Sequence, residues 1–324
     1  MVLFSQGKIL VELVQMKTVI KIEGLKKKFG EFPAVDGLEF DIQENEIFGL
    51  LGPNGAGKTT TINMICGLLP ATDGKISFYL NNGSDNKNLI GYCSQENILY
   101  PRLTCLEQLM FTGNMFGYSS KLLRTRASEL LNLLGLSEKS NVRAGKLSGG
   151  MKRRLNICLA LIHNPDIVIL DEPEAGLDPQ SRVMVRDFIK ELGREKTILL
   201  STHNMDEADR LADRVAIIDH GKLLLLDTPQ NLKKSVGEGD MLELILENIS
   251  ENAISLFKHS LDQLSMTVSV SNKSILLKHR NLLEQISTVR ARAEESGLKI
   301  SEIKLRENSL EDVFIHLTGR NLRQ

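Results

Sequence analysis

Five short runs in the first two thirds of the chain are apolar without clean alternation: Glu46 to Leu51, Leu89 to Cys93, Ile167 to Leu170, Ile198 to Ser201 and Val215 to Ile218. A strand with one wet face alternates, whereas a strand covered on both faces does not, so these runs predict a mostly parallel sheet between helices. Between the second and third runs the pattern becomes helical. Thr104 with Glu107 spells a capping box that opens one helix, and Leu123, Ala127, Leu130 and Leu134 line another that Gly135 closes. A helical subdomain at about 98–160 is therefore expected within an α/β domain spanning 17–230.

Past Thr228-Pro229 the character shifts, and Gly237-Glu238-Gly239 mark a linker at 231–239. Residues 240–324 read as a strand (Met241 to Leu246), a helix (Ile254, Phe257, Leu261, Leu264) and a hairpin (Met266 to Val270, then Ser271-Asn272-Lys273, then Ile275 to Lys278). A second helix (Leu282, Ile286, Val289, Ala293), Gly297 and a strand (Leu298 to Leu305) complete a βαββαβ order, which predicts a small ferredoxin-like α+β domain. A last helix starts at a second capping box, Ser309 with Asp312, and turns Leu310, Val313, Phe314 and Leu317 inward.

Composition adjusts this picture only slightly. The 324 residues suffice for two domains with proper cores. A formal net charge of -1 supplies no basic field, so no nucleic-acid partner is expected. The Lys26-Lys27-Lys28 run reads as a solvated turn. Cys66, Cys93, Cys105 and Cys158 lack metal-site spacing and read as small core hydrophobes of a reducing cytosol. No apolar run approaches the roughly 18 residues of a membrane span. Residues 1–16 lack the long apolar core of a signal peptide and read as a short N-terminal extension.

The chemistry concentrates in LLGPNGAGKTTTINMICGLLP, Leu50 to Pro70, where glycines separate an apolar strand from an apolar helix. Gly52, Gly57, Lys58 and Thr59 fit GxxxxGK[ST] in the strand–loop–helix context that the pattern requires. Through Gly52, Pro53, Asn54, Gly55, Ala56, Gly57, Lys58, Thr59 and Thr60, backbone N–H groups and the helix N-terminus can cradle the phosphates of a nucleotide. Lys58 reaches the terminal phosphates, and the Thr59 hydroxyl can ligate Mg²⁺. A buried strand then ends in Asp171-Glu172-Pro173. Adjacent acids there serve either as a helix cap in a solvated loop or, in a P-loop ATPase, as the Mg²⁺-holding carboxylate (Asp171) and the group that orients or deprotonates water (Glu172). Leu147-Ser148-Gly149-Gly150-Met151 opens another helix with two glycines in its first turn, a second phosphate-seeking helix start.

LSGGM after a P-loop and before DEP resembles the signature of the ABC ATPases, and the resemblance covers about the first 230 residues. It implies a P-loop NTPase fold of the ABC type and a dimer, of identical or related chains, that sandwiches ATP and Mg²⁺. In that dimer Ser148, Gly149 and Gly150 of one subunit close over the γ-phosphate bound by the other. By the same resemblance Gln95 is the Q-loop glutamine that touches Mg²⁺ and senses the membrane partner. Asp178, in Ala175-Gly176-Leu177-Asp178, belongs to the D-loop, and His203 is the switch histidine on the γ-phosphate. Phe29 matches the aromatic that stacks on adenine, with a core ring as the alternative. Glu174 departs from the family's usual Thr; it either crowds Asp171 and Glu172 or points to solvent. The tail Ser309 to Arg320 resembles ATPase subunits of drug-resistance, sodium-efflux and related exporters, in which a cytoplasmic ATPase sits on the inner face of the membrane through a separate permease. The permease is expected to dock between the Gln95 to Arg102 loop and the insert, on Leu109, Met110, Phe111, Met115 and Phe116. A soluble ABC ATPase acting on ribosomes or DNA is the alternative; one cassette, a short insert and no basic tract disfavour it.

Overall fold

The computed structural model describes residues 4–5, 8–9, 17–79, 89–235, 240–248, 250–261, 264, 266–270, 274–279, 282–306 and 308–319. Most of the 1–16 extension, the linker residues Gly237 to Gly239, the hairpin tip Ser271-Asn272-Lys273 and Arg320 lie outside the described residues. The chain divides into one unit ending at Thr228 and a second beginning at Pro229.

The first unit runs β1 (Thr18–Phe29), β2 (Phe32–Gln43), β3 (Ile47–Leu51), α1 (Lys58–Ile65), β4 (Asp73–Phe78), β5 (Ile90–Cys93), α2 (Cys105–Met115), α3 (Ser120–Leu133) and α4 (Gly149–Leu161). It continues with β6 (Ile167–Asp171), α5 (Pro179–Leu192), β7 (Thr197–Thr202), α6 (Met205–Leu211), β8 (Arg214–Asp219) and β9 (Lys222–Asp227). The main sheet has the order β9-β8-β3-β7-β6-β5 and is parallel except for edge strand β9. The continuous apolar runs are explained by two cores. On β6, Val168 and Leu170 join the core built from α2 to α5, while Ile167 and Ile169 join the core of α1, β1 and β2. Burying each such side chain is worth about 1.5–3 kcal/mol.

Thr104 and Glu107 make the expected reciprocal cap of α2, as Ser309 and Asp312 do for α10 (Leu310–Thr318), each worth about 1 kcal/mol. Two expectations need correction. Lys26 to Lys28 form no turn; they lie within β1, the central strand of the antiparallel sheet β2-β1-β4, and Lys27 Nζ donates to the Pro70 carbonyl at 2.7 Å. Register shifts in the β1–β2 pairing free these long side chains from strict alternation. Leu109 is fully buried among α2, α3 and α4 and offers nothing to a partner, whereas Phe111 and Met115, on the other face of α2, are exposed.

The second unit comprises α7 (Pro229–Ser235), β10 (Asp240–Asn248), α8 (Glu251–Leu261), β11 (Thr267–Val270), β12 (Ser274–His279), α9 (Leu282–Glu295), β13 (Lys299–Arg306) and α10. Its sheet, β11-β12-β10-β13, is antiparallel throughout, the ferredoxin-like arrangement. Leu242, Leu244, Phe257, Leu277 and Val289 form its core. Residues 229–235, divided above between first domain and linker, form a helix of this unit because Leu232 is buried and α7 packs on α10. No helix among the described residues is long and apolar enough to cross a membrane.

Candidate functional site

β3 is buried along its whole length and delivers the chain to the loop that begins at Gly52. A Cβ at Gly52 would lie 2.3 Å from the Ile218 carbonyl oxygen, and one at Gly57, where φ is +104°, would lie 2.6 Å from that of Ala34. The close approach that these glycines permit is thus partly to the protein's own backbone. Gly55 and Asn54 are exposed. Gly57 caps α1 without a side-chain bond and the first turn of α1 holds no acid, so the positive end of the helix is uncompensated from within. Lys58 is buried. Its Nζ donates to the Gly52 and Pro53 carbonyls at 2.7 and 3.1 Å and lies 3.6 Å from Glu172 Oε1. Burial lowers its pKa, opposed by the charges of Glu172 and Asp171.

Asp171 ends β6 with no exposure at all; its Oδ1 accepts the Ser201 hydroxyl, and its Oδ2 has no partner among the described residues. A buried carboxylate oxygen without a donor is costly unless a cation or a water on a cation meets it. Glu172 follows with φ of +53°, a left-handed conformation rare for an acid, and its N–H donates to Ser201. Its carboxylate bridges two segments: Oε1 faces Lys58, and Oε2 is 2.7 Å from His203 Nδ1.

A cleft of about 500 Å³ opens over Lys58 and Glu172, within the usual range for ligand sites; Asp171 is buried behind it, and His203 lines a neighbouring cavity that shares Glu172 with it. Phe29, Asn54, Gly55, Gly57, Lys58, Thr59, Thr60, Gln95 and Glu172 line the cleft. Phe29 is 52% exposed and is therefore no core ring. The structure does not bring Ser148, Gly149, Gly150 or Asp178 into this cleft. Ser148 caps α4, Asp178 caps α5, and a Cβ at Gly150 would lie 3.6 Å from Asp178 Oδ1, so these four form a separate exposed corner.

Several residues were missed from sequence. Phe32 pairs with Phe29 across the hairpin and lines the same cleft. Ser201 lies opposite Asp171 in the sheet register. Arg153, fully buried in α4, donates to five carbonyls: Ser94 and Gln95 on one loop, and Asp171, Glu172 and Pro173 on the other. Ser201 could have been found from the parallel pairing of the two strand ends, whereas α4 gives no sequence period that sets Arg153 apart, since Arg153 through Cys158 are all buried. Cys93, Cys105 and Cys158 are buried as core hydrophobes, whereas Cys66 is half-buried; burial raises Cys66 to about 12 and Cys93 to about 11.

A parallel sheet with an insert of helices, a glycine loop at the N-terminus of α1 and an acid pair at the end of β6 define a P-loop nucleoside triphosphatase of the ATP-binding-cassette class. The family model described as ABC transporter matches residues 35–175. The linearmycin resistance ATP-binding protein LnrL of Bacillus subtilis is 36% identical over 310 residues, 94% of this chain and 100% of that protein. The Nod factor export ATP-binding protein I of Ralstonia nicotianae is 34% identical over 310 residues, 94% of this chain and 95% of that protein. Among solved structures, a dimeric post-hydrolysis state of the ATP-binding cassette MJ0796 bound to ADP and Pi matches with a TM-score of 0.58 and 28% identity, covering 64% of this chain and 98% of that one. The chain belongs to the ABC transporter family, as an ATP-binding subunit of the ABC ATPase type.

Proposed function

We propose that this chain is the ATP-hydrolysing subunit of an exporter, pairing with an identical or related chain over two ATP molecules and driving a separate membrane permease from the inner face of the membrane. The observation that carries the reading is the Glu172 carboxylate, gripped between Lys58 and His203 beside an Asp171 oxygen that has no partner among the described residues. Lys58 would exchange the Gly52 and Pro53 carbonyls for terminal phosphates, Phe29 would stack on adenine, and Glu172, oriented by His203, would take the proton of the attacking water. Asp171, Thr59 and Gln95 supply oxygen donors of the kind Mg²⁺ takes, an octahedral ion held by few carboxylates with phosphate and water completing its shell; bound there, it would neutralise charge on the β- and γ-phosphates. Ser148, Gly149, Gly150 and Asp178 would complete the site of the opposite subunit, which accounts for their distance from the cleft. The resistance and export names of the relatives support the exporter reading.

The permease would dock on Phe111, packed edge-on to Tyr100 at 5.7 Å, with the exposed Met115 one helical turn along; Ile98, in the preceding loop, is exposed as well. The test is purification of the Glu172→Gln chain with ATP from detergent-solubilised membranes. A stoichiometric polytopic membrane protein that is lost with Phe111→Glu, while nucleotide binding persists, is the expected outcome. Ribosomal proteins or nucleic acid in place of a membrane partner would overturn the reading.

A further inference from the structure

Glu174 neither crowds Asp171 nor points to solvent. It turns into a cavity of about 240 Å³ beside the cleft, lined also by Glu172, Thr202, His203 and Glu207. There both Glu174 oxygens and Glu207 Oε2 are buried without a hydrogen-bond partner among the described residues. The nearest cations come from α5: Arg182 Nε is 3.9 Å from Glu174 Oε2, and Arg186 Nη1 is 3.8 Å from Glu207 Oε1. Both distances are too long for hydrogen bonds. Arg186 is further occupied by Asp187 at 4.0 Å, and the remaining titratable groups facing the cavity are Glu172 and His203.

We propose that Glu174 and Glu207 share one proton, and that this carboxylic acid–carboxylate link is a positioning device for the Glu172–His203 pair. One proton between the acids gives a buried oxygen its missing donor and removes one of two like charges. The placement argues for the role. Glu174 lies two residues beyond Glu172, and Glu207 lies four beyond His203, in the first turn of α6. The acid link therefore ties the same two segments that the 2.7 Å Glu172–His203 contact ties, one step further along each. Burial first, and Glu207 beside it second, raise Glu174 to about 8. Below that pH the link is closed; above it two carboxylates face one another and the segments part.

This inference rests on the catalytic reading of Glu172, and the test separates the two. Steady-state phosphate release by the full chain is followed against pH for the wild type, Glu174→Gln, Glu174→Ala and Glu172→Gln. The wild type is expected to lose kcat on an alkaline limb centred near pH 8, with KM for ATP unchanged because neither acid lines the nucleotide cleft. Glu174→Gln, whose amide donates to Glu207 at every pH, should turn over without that limb. Glu174→Ala should have lowered kcat at all pH values and likewise no limb. The limb persisting unchanged in Glu174→Gln would overturn the proposal, with circular dichroism confirming fold and Glu207→Gln serving as the second variant. Wild-type turnover in Glu172→Gln would instead sink the catalytic reading.

Discussion

Arg153 Nη2 donates to the backbone carbonyl of Glu172 at 2.9 Å, while Nη1 of the same guanidinium donates to the carbonyl of Gln95 at 3.1 Å. One buried, planar, permanently charged group thus clamps the loop after β5 to the loop after β6. It acts entirely through main chain, so it fixes the position of Glu172 without touching its carboxylate.

Replacing Arg153 by Met removes the donors of five carbonyls at once and should destabilise the first unit by roughly 5 kcal/mol or more, at about 1–3 kcal/mol per stranded buried group. Arg153→Lys keeps the charge but cannot reach both loops, and should lose turnover while unfolding at a urea midpoint between those of the wild type and Arg153→Met. A Lys variant with wild-type kcat would show that the clamp is only structural.

Ser201 supports the other side of the acid pair: its hydroxyl donates to Asp171 Oδ1, and its oxygen accepts the N–H of Glu172 at 3.2 Å. Ser201→Ala leaves Asp171 free to turn, so the Mg²⁺ concentration for half-maximal ATPase should rise about 10- to 100-fold, the usual effect of losing a group that orients a metal ligand. An unchanged Mg²⁺ dependence would mean that Asp171 is held by packing alone.

The strands β3, β6, β7 and β8 were legible because burial on both faces writes them as unbroken apolar runs, the edge strand β5 because two of its four residues are still buried, and the loop at Gly52 to Thr59 because its spacing carries its own mechanism. The β2-β1-β4 sheet was not legible. Its strands carry Lys26 to Lys28 and Asp36, with side chains partly or wholly in solvent, and irregular pairing blurs the period of two. Arg153 escaped for the opposite reason. In α4, Arg153 through Cys158 are all buried, so no apolar face distinguishes its environment from its neighbours'. Glu174 and Glu207 lie 33 residues apart in different segments, and only the fold sets them side by side.

Phe29 and Phe32 face each other across the β1–β2 hairpin, and both rings are exposed toward the cleft. A ring stacked on a base is worth about 0.5–1.5 kcal/mol, so Phe29→Ala should raise KM for ATP roughly 2- to 10-fold and leave kcat and the urea midpoint near wild type. Phe29→Tyr should restore binding. If Phe32→Ala raises KM equally, the base rests on both rings; a KM indifferent to Phe29→Ala would remove Phe29 from the site.

The acid pair also predicts a pH dependence of stability, separable from that of turnover. Glu174 has a folded-state pKa of about 8 against an ordinary carboxyl value of 4.5, so between these limits the native chain holds a proton that the unfolded chain has released. Stability from this group is then fully present below 4.5 and falls as pH rises through 8, the reverse of a carboxylate paired with a cation. Glu174→Gln cannot titrate. Its urea midpoint relative to wild type should therefore climb steadily from about pH 5 to about pH 8 and level off above, the span over which one proton's linkage operates. Arg182 and Arg186 keep some attraction for the ionised pair, which limits the size of the climb but not its sign. Parallel curves for the two proteins across that window would mean that Glu174 is ionised in the folded chain and that the buried oxygens are met by the arginines instead.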